Sequence, residues 1–244
     1  MRGLAEHDLI HIWETGLRQH PIDRALTILA AARPTMAWEE LATLSIGQRD
    51  GYLLEAWERT FGARLESYAE CPQCAERLQF PLSAAELRAS AQPESIEPVH
   101  GWTVDEYAIQ FRLPNSYDLA AIVACADPAS AHDLLLSRCV LEVERAGRPI
   151  GVEALPPAIV GSIAERITAC DPLAEVLIDL ECPACGQRWQ TQLDIVAFFW
   201  NELTATAKRL LREVHALARA YGWREPDILA LSAARRQFYL DMVS

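Results

Sequence analysis

Apolar side chains in the first part of the chain recur at helical spacing. Leu9, Ile10, Ile12, Trp13 and Leu17 form one stripe, closed near His20-Pro21. Ile22, Leu26, Ile28 and Leu29 form a second, stopped at Arg33-Pro34. Ser45-Ile46-Gly47-Gln48 has the spacing of a capping box, in which the serine oxygen accepts an orphan N–H and the glutamine reaches back. The helix it opens carries Leu53, Leu54, Trp57 and Phe61 and stops at Gly62, a residue free to take a left-handed conformation. From 65 to 82 the pattern turns to strand-like alternation, and Ser83-Ala84-Ala85-Glu86 then caps a short helix. Ala91 to Val99, with two prolines and two glutamates, reads as a linker.

Beyond the linker, Tyr107, Ile109, Phe111 and Leu113 alternate at a strand period. Two short helices are expected from Ser116 to Cys125 and from Asp127-Pro128 to Arg138, each begun by N-cap chemistry. Val140 to Glu144 reads as a strand closed by the Gly147-Arg148-Pro149 turn, and a helix follows from about Pro157 to Ala169. Val176 to Leu180 and Trp189 to Leu193 form a second hairpin. A long amphipathic helix begins at Ile195, carries Phe198, Phe199, Leu203, Ala207, Leu210, Val214 and Leu217, and ends at Gly222. Ile228 to Val243 gives one or two short helices more.

Seven cysteines are placed unevenly along this pattern. Glu70-Cys71-Pro72-Gln73-Cys74 and Glu181-Cys182-Pro183-Ala184-Cys185 share one motif, each at the tip of an expected hairpin. Two cysteines three apart on a tight turn offer two thiolates to one metal, and zinc takes four soft donors in a tetrahedron. Matching knuckles at two places point to one structural zinc held by Cys71, Cys74, Cys182 and Cys185, a zinc ribbon split by a large insert. A redox dithiol, an iron–sulfur cluster and plain core cysteines are the competing readings. Cys125, Cys139 and Cys170 stand singly on apolar faces and read as packing residues.

The fold class that results is α+β, mainly α-helical. Residues 1–64 form a helical region, 65–90 the first knuckle hairpin with a short helix, and 91–174 a mixed α/β insert. Residues 175–193 form the second knuckle hairpin and 194–244 a C-terminal helical region.

Charge narrows the function. The formal net charge is −12, so phosphate backbones and anionic membranes are repelled. Lys208 is the only lysine and lies in Ala-Lys-Arg, which excludes a P-loop. Neither a His-Glu-x-x-His helix nor a Gly-x-Ser-x-Gly elbow occurs, and four thiolates close a zinc sphere against water. A non-catalytic protein without a small-molecule substrate is expected. The first residues lack the apolar run of a signal peptide, and no stretch is apolar enough to span a bilayer, so the expected location is the cytoplasm.

Trp200, Tyr221, Trp223, Arg235, Arg236 and Tyr239 are the candidate partner-binding residues, because aromatics and arginine are enriched in interface hot spots. The same tail has a helix–turn–helix outline, with Arg235 and Arg236 able to meet phosphates, so a zinc-ribbon nucleic-acid-binding protein is the alternative.

Three segments carry a family resemblance: Ser45-Ile46-Gly47-Gln48-Arg49-Asp50 with its helix to Phe61-Gly62, the two Cys-Pro-x-Cys knuckles, and Glu213 to Trp223 continuing through Ile228-Leu229-Ala230-Leu231 and Arg235-Arg236 to Tyr239. Together they resemble the T-even phage baseplate hub assembly chaperone family, and more closely its cysteine-bearing relatives from clusters encoding phage-tail-like contractile injection systems. The resemblance implies an assembly factor or structural component for a baseplate hub. Its partners would be hub and spike proteins, and its only cofactor zinc.

Overall fold

The computed structural model describes residues 1–90 and 97–243, so most of the linker expected at Ala91–Val99 lies outside the described residues. Helix α1 (Glu6–Gly16) opens with the Asp8 carboxylate accepting the Ala5 N–H at 2.8 Å, and α2 (Pro21–Ala32) opens on a proline, which has no N–H to leave unpaired in a first turn. A six-residue helix, α3 (Trp38–Thr43), follows. Helix α4 (Ile46–Phe61) opens on the expected box. The Gln48 N–H donates to Ser45 Oγ at 3.1 Å, and the Ser45 N–H donates to Gln48 Oε1 at 3.2 Å. Strands β1 (Arg64–Glu70) and β2 (Arg77–Ser83) pair antiparallel, and Ser83 caps α5 (Ala84–Ser90) through the Glu86 N–H.

The middle of the chain builds its own sheet, in the antiparallel order β3 (His100–Val104), β4 (Tyr107–Phe111), β5 (Val140–Arg145), β6 (Arg148–Pro149). Between β4 and β5 come α6 (Ser116–Ile122) and α7 (Pro128–Cys139), and α8 (Pro157–Cys170) follows the sheet. One sheet face, with Tyr107, Ile109, Phe111, Val140 and Val143, packs on Leu136 of α7 and on Ile159 and Ile163 of α8. Strands β7 (Leu177–Glu181) and β8 (Arg188–Gln192) form the second hairpin. Of the single cysteines, Cys139 and Cys170 are buried as expected, whereas Cys125 is only half-buried.

Helix α9 (Ile195–Tyr221) is the spine. Its 27 residues span about 40 Å. The first half, with Ile195, Val196, Phe199 and Leu203, completes the main core formed with α1, α2, α3, α4, β1 and α5. Ala207 and Leu210 meet Ile10 of α1, and Val214 and Leu217 meet Ile228 of α10 (Glu225–Leu229), with Tyr239 and Leu240 of α11 (Ala233–Asp241) packed against them. Gly222 ends α9 in the left-handed region at φ +69°. None of the described helices is long and apolar enough to cross a membrane.

One buried carboxylate ties the middle of the chain to the main core. Asp171, just after α8, accepts from Ser45 Oγ at 3.0 Å and from the Gly47 N–H at 2.9 Å. Its charge sits at the α4 N-terminus, where unpaired N–H groups favour an anion. Burial raises its pKa and those two hydrogen bonds lower it, with burial the larger effect. A Cβ on Gly47 would run into Asp171 Oδ1, so the close approach requires glycine.

Candidate metal centre

The two knuckles are built alike, atom for atom along the backbone. In the first, the Cys71 N–H donates to Glu76 O at 2.9 Å and the Ala75 N–H to Cys71 O at 3.0 Å. In the second, the Cys182 N–H donates to Gln187 O at 2.8 Å and the Gly186 N–H to Cys182 O at 2.9 Å. Such a loop needs a left-handed residue just after its second cysteine. Gly186 takes φ +72°, and Ala75 takes φ +59° despite its Cβ.

The repeat runs beyond the cysteines at a constant offset of 111 residues, the separation of Cys71 from Cys182. Glu70 faces Arg77 across the first hairpin as Glu181 faces Arg188 across the second. Gln79 and Gln190 correspond too, though Gln190 donates to Asp179 directly opposite it, whereas Gln79 faces Tyr68 and donates to Glu66. Leu82 and Leu193 correspond, and Ser83 and Asp194 each cap the helix that follows. The unit is therefore strand, knuckle, strand, cap and helix, larger than the motif visible as cysteine spacing.

The hairpins meet tip to tip. Cys71 Sγ lies 3.7 Å from Cys185 Sγ, and Cys74 Sγ lies 3.6 Å from Cys182 Sγ. All four sulfurs fall within 4.8 Å of one another. A tetrahedron with metal–sulfur bonds of 2.3 Å has edges of about 3.8 Å, whereas a disulfide bond is about 2.05 Å long. The sulfurs are thus spaced for one metal ion, and none is bonded to another. The first cysteine of each knuckle is buried and the second is exposed, so the cluster sits at the surface with one side covered.

Electrostatics at the cluster suit a cation. Burial raises the Cys71 pKa, but N–H groups of Cys74 and Gln73 aimed at its sulfur outweigh this and bring it to about 7. At Cys74 an N–H from Glu76 favours the thiolate, yet the sulfurs of Cys185 and Cys182 and burial push the pKa to about 12. Cys185 receives an N–H from Gln187, and its pKa is nonetheless raised by burial and by neighbouring sulfurs. Four thiolates this close repel one another, and a divalent cation at their centre removes that repulsion. Backbone N–H groups directed at sulfur supply the outer support that metal thiolates require.

The tail residues are placed less simply. Tyr221 stacks on Trp223 with centroids 4.7 Å apart, and Tyr239 stands edge-on to both. Arg235 is exposed on α11, and Phe238 on the same helix and Met242 at its C-terminal cap are each 64% exposed. Two expectations need correction. Trp200 does not share this surface: it lies 21 residues before Tyr221 on one helix, about 31 Å away. Its ring rests on Gly16, under the Arg24 guanidinium at 4.4 Å. Arg236 is not at the surface either. Only 1% exposed, it donates to Glu213 at 2.9 Å, to Glu6 at 2.5 Å and to Leu231 O at 2.7 Å, tying α1, α9 and α11 together.

Neither the curated proteins nor the solved structures contain a match to this chain. A family model does match, described as T4 bacteriophage base plate protein, over residues 26–200. That stretch runs from α2 into α9, encloses both knuckles and covers well over half of the 244 residues. The chain therefore belongs to the T4 bacteriophage base plate protein family.

Proposed function

We propose that the chain is a non-catalytic, zinc-binding assembly factor or structural component for the baseplate hub of a contractile phage tail or phage-tail-like injection system. The observation that carries this reading is the family match over 26–200, with both knuckles inside it. Zinc is the metal that best suits four cysteine sulfurs on two N–H-supported knuckles. In this reading Cys71, Cys74, Cys182 and Cys185 complete a split zinc ribbon that staples the two hairpins across the insert. Its sphere is closed to water, so the metal stabilises the fold and activates no nucleophile.

Hub and spike proteins are the proposed partners, and the contact face is the aromatic end of α9 with α11. Tyr221, Trp223, Tyr239 and Arg235 form its anchor set, with Phe238 and Met242 exposed beside them. The test is co-purification with baseplate proteins from the native host. Trp223→Ala with Phe238→Ala and Arg235→Ala, in a protein of unchanged circular dichroism, is expected to abolish recovery of hub proteins. Recovery equal to that of the unaltered chain, or a partner set free of baseplate proteins, would refute the assignment.

A further inference from the structure

Helix α9 buries Ile195, Val196, Phe199, Leu203, Thr206, Ala207, Leu210, Val214 and Leu217, all on one side. At 100° per residue, the direction opposite that side falls on Lys208, Arg212, His215 and Arg219, spaced four, three and four apart. All four are exposed. The stripe is about 16 Å long, contains no acidic residue, and its lysine and arginines form no ion pair among the described residues. Arg209 beside it is different, being committed to Glu213 at 3.6 Å.

This basic face stands out against the rest of the chain. Residues 205–244 hold seven Lys and Arg against four Asp and Glu, a net of +3, which leaves −15 on residues 1–204 to make the total of −12. Helix-dipole stabilisation reaches only the last turn and so accounts for Arg219 but not for Lys208 or Arg212. The stripe also lies past the residues matched by the family model.

We infer that the solvent face of α9 is a second docking surface, and that its occupant is an acidic polypeptide segment of another protein. The inference rests on the reading of the chain as an assembly component. Unpaired cations in a row call for carboxylates in a row, which a partner helix supplies with Asp or Glu at the same three-to-four spacing. Small side chains flank the row at Ala205, Ala216 and Ala220, so a second helix approaches closely. A nucleic acid fits less well. Single strands need aromatic side chains between the cations, and here Tyr221 and Trp223 stack on each other instead. A duplex extends far beyond a stripe this short, and its phosphates would meet the −15 carried by residues 1–204.

The test uses the full zinc-loaded chain, fluorescence anisotropy and two labelled probes at low salt, a polyglutamate peptide and a short DNA duplex. Polyglutamate is expected to bind saturably despite the acidic character of the whole chain, and salt should weaken it. Lys208→Gln with Arg212→Gln should lower its affinity at least about tenfold with helicity unchanged. Arg64→Gln with Arg77→Gln removes the same charge from the exposed first hairpin and should leave affinity within about twofold. No binding by the unaltered chain, an equal loss in the hairpin control, or DNA binding as tightly and depending on Lys208 and Arg212 would each overturn the inference. Polyglutamate binding is independent of co-purification with hub proteins. Failure of the first alone removes the stripe, and failure of the second alone removes the assembly assignment.

Discussion

The matched knuckles differ at the residue that carries positive φ, and exchanging the two residues tests whether their shared backbone shape is functional. Gly186 at φ +72° has open space where a Cβ would stand, so Gly186→Ala meets no steric neighbour and costs only backbone strain. An alanine in the left-handed region costs about 1–2 kcal/mol, offset by about 0.4–1 kcal/mol from a less flexible unfolded chain. The net loss is about 1 kcal/mol. Ala75→Gly at φ +59° is the mirror case and should gain about as much. For a chain of this length, 1 kcal/mol moves Tm by about 2–4 °C. Thermal melts of the zinc-loaded variants should therefore shift in opposite directions, and the double variant should return close to the starting Tm. Competition with a chromophoric zinc chelator should show the same signs, about fivefold in affinity, because metal binding and loop folding are coupled. Shifts of the same sign, or a lower Tm for Ala75→Gly, would show that the knuckles are not equivalent and refute the reasoning.

Two further outcomes follow from buried charge. Asp118 accepts from Arg112 Nη1 at 2.5 Å and from Arg138 Nε at 2.7 Å; burial raises its pKa, but these bonds and the Asn115 N–H hold it at about 2, against an ordinary 3.8. Because the folded-state pKa is depressed, the stabilisation, about 2 kcal/mol, is complete above pH 4 and is lost as pH falls through 2. Asp118→Asn should lose it at neutral pH and flatten stability between pH 4 and 2 in denaturant titrations; an unchanged acid limb would count against the pairing. Arg236→Met strands the Glu6 and Glu213 carboxylates and should cost about 3 kcal/mol, lowering Tm by about 6–12 °C. A Tm within about 2 °C of the starting value would mean that the buried triad is not formed.

Local chemistry in the sequence was a good guide to local structure. The Ser45–Gln48 box, the Asp127 cap, which accepts the Ser130 N–H at 2.9 Å, and the Gly222 stop all depend on neighbours within four residues. The cysteine cluster was legible for a related reason: two short motifs of one pattern point to a shared site whatever lies between them, and the four sulfurs do come together. Helix α3 was not legible, because Ala37 offers no capping side chain and Glu40 alone reaches back, to the Ala37 N–H at 2.9 Å. Strand β3 was hidden too, since its outward positions include Gly101 and its inward His100 is a polar residue stacked on Phe111.

What the sequence could not show were contacts between distant residues. Nothing near Ser45 announces that Asp171 will supply the anion for its helix, 126 residues away. Arg235 and Arg236 look equivalent in sequence, yet their helical phase sends one to solvent and the other between Glu6 and Glu213. Grouping Trp200 with Tyr221 likewise overlooked the rise of a continuous helix.

The convergence of four distant sulfurs on one ion is most directly tested by native mass spectrometry of the reduced chain with elemental analysis of the same sample. One zinc per chain is expected, and serine at Cys71 and Cys74 alone, or at Cys182 and Cys185 alone, should remove it completely and lower Tm. Two metals per chain, retention of the ion after loss of one knuckle, or no metal at all would contradict a shared centre.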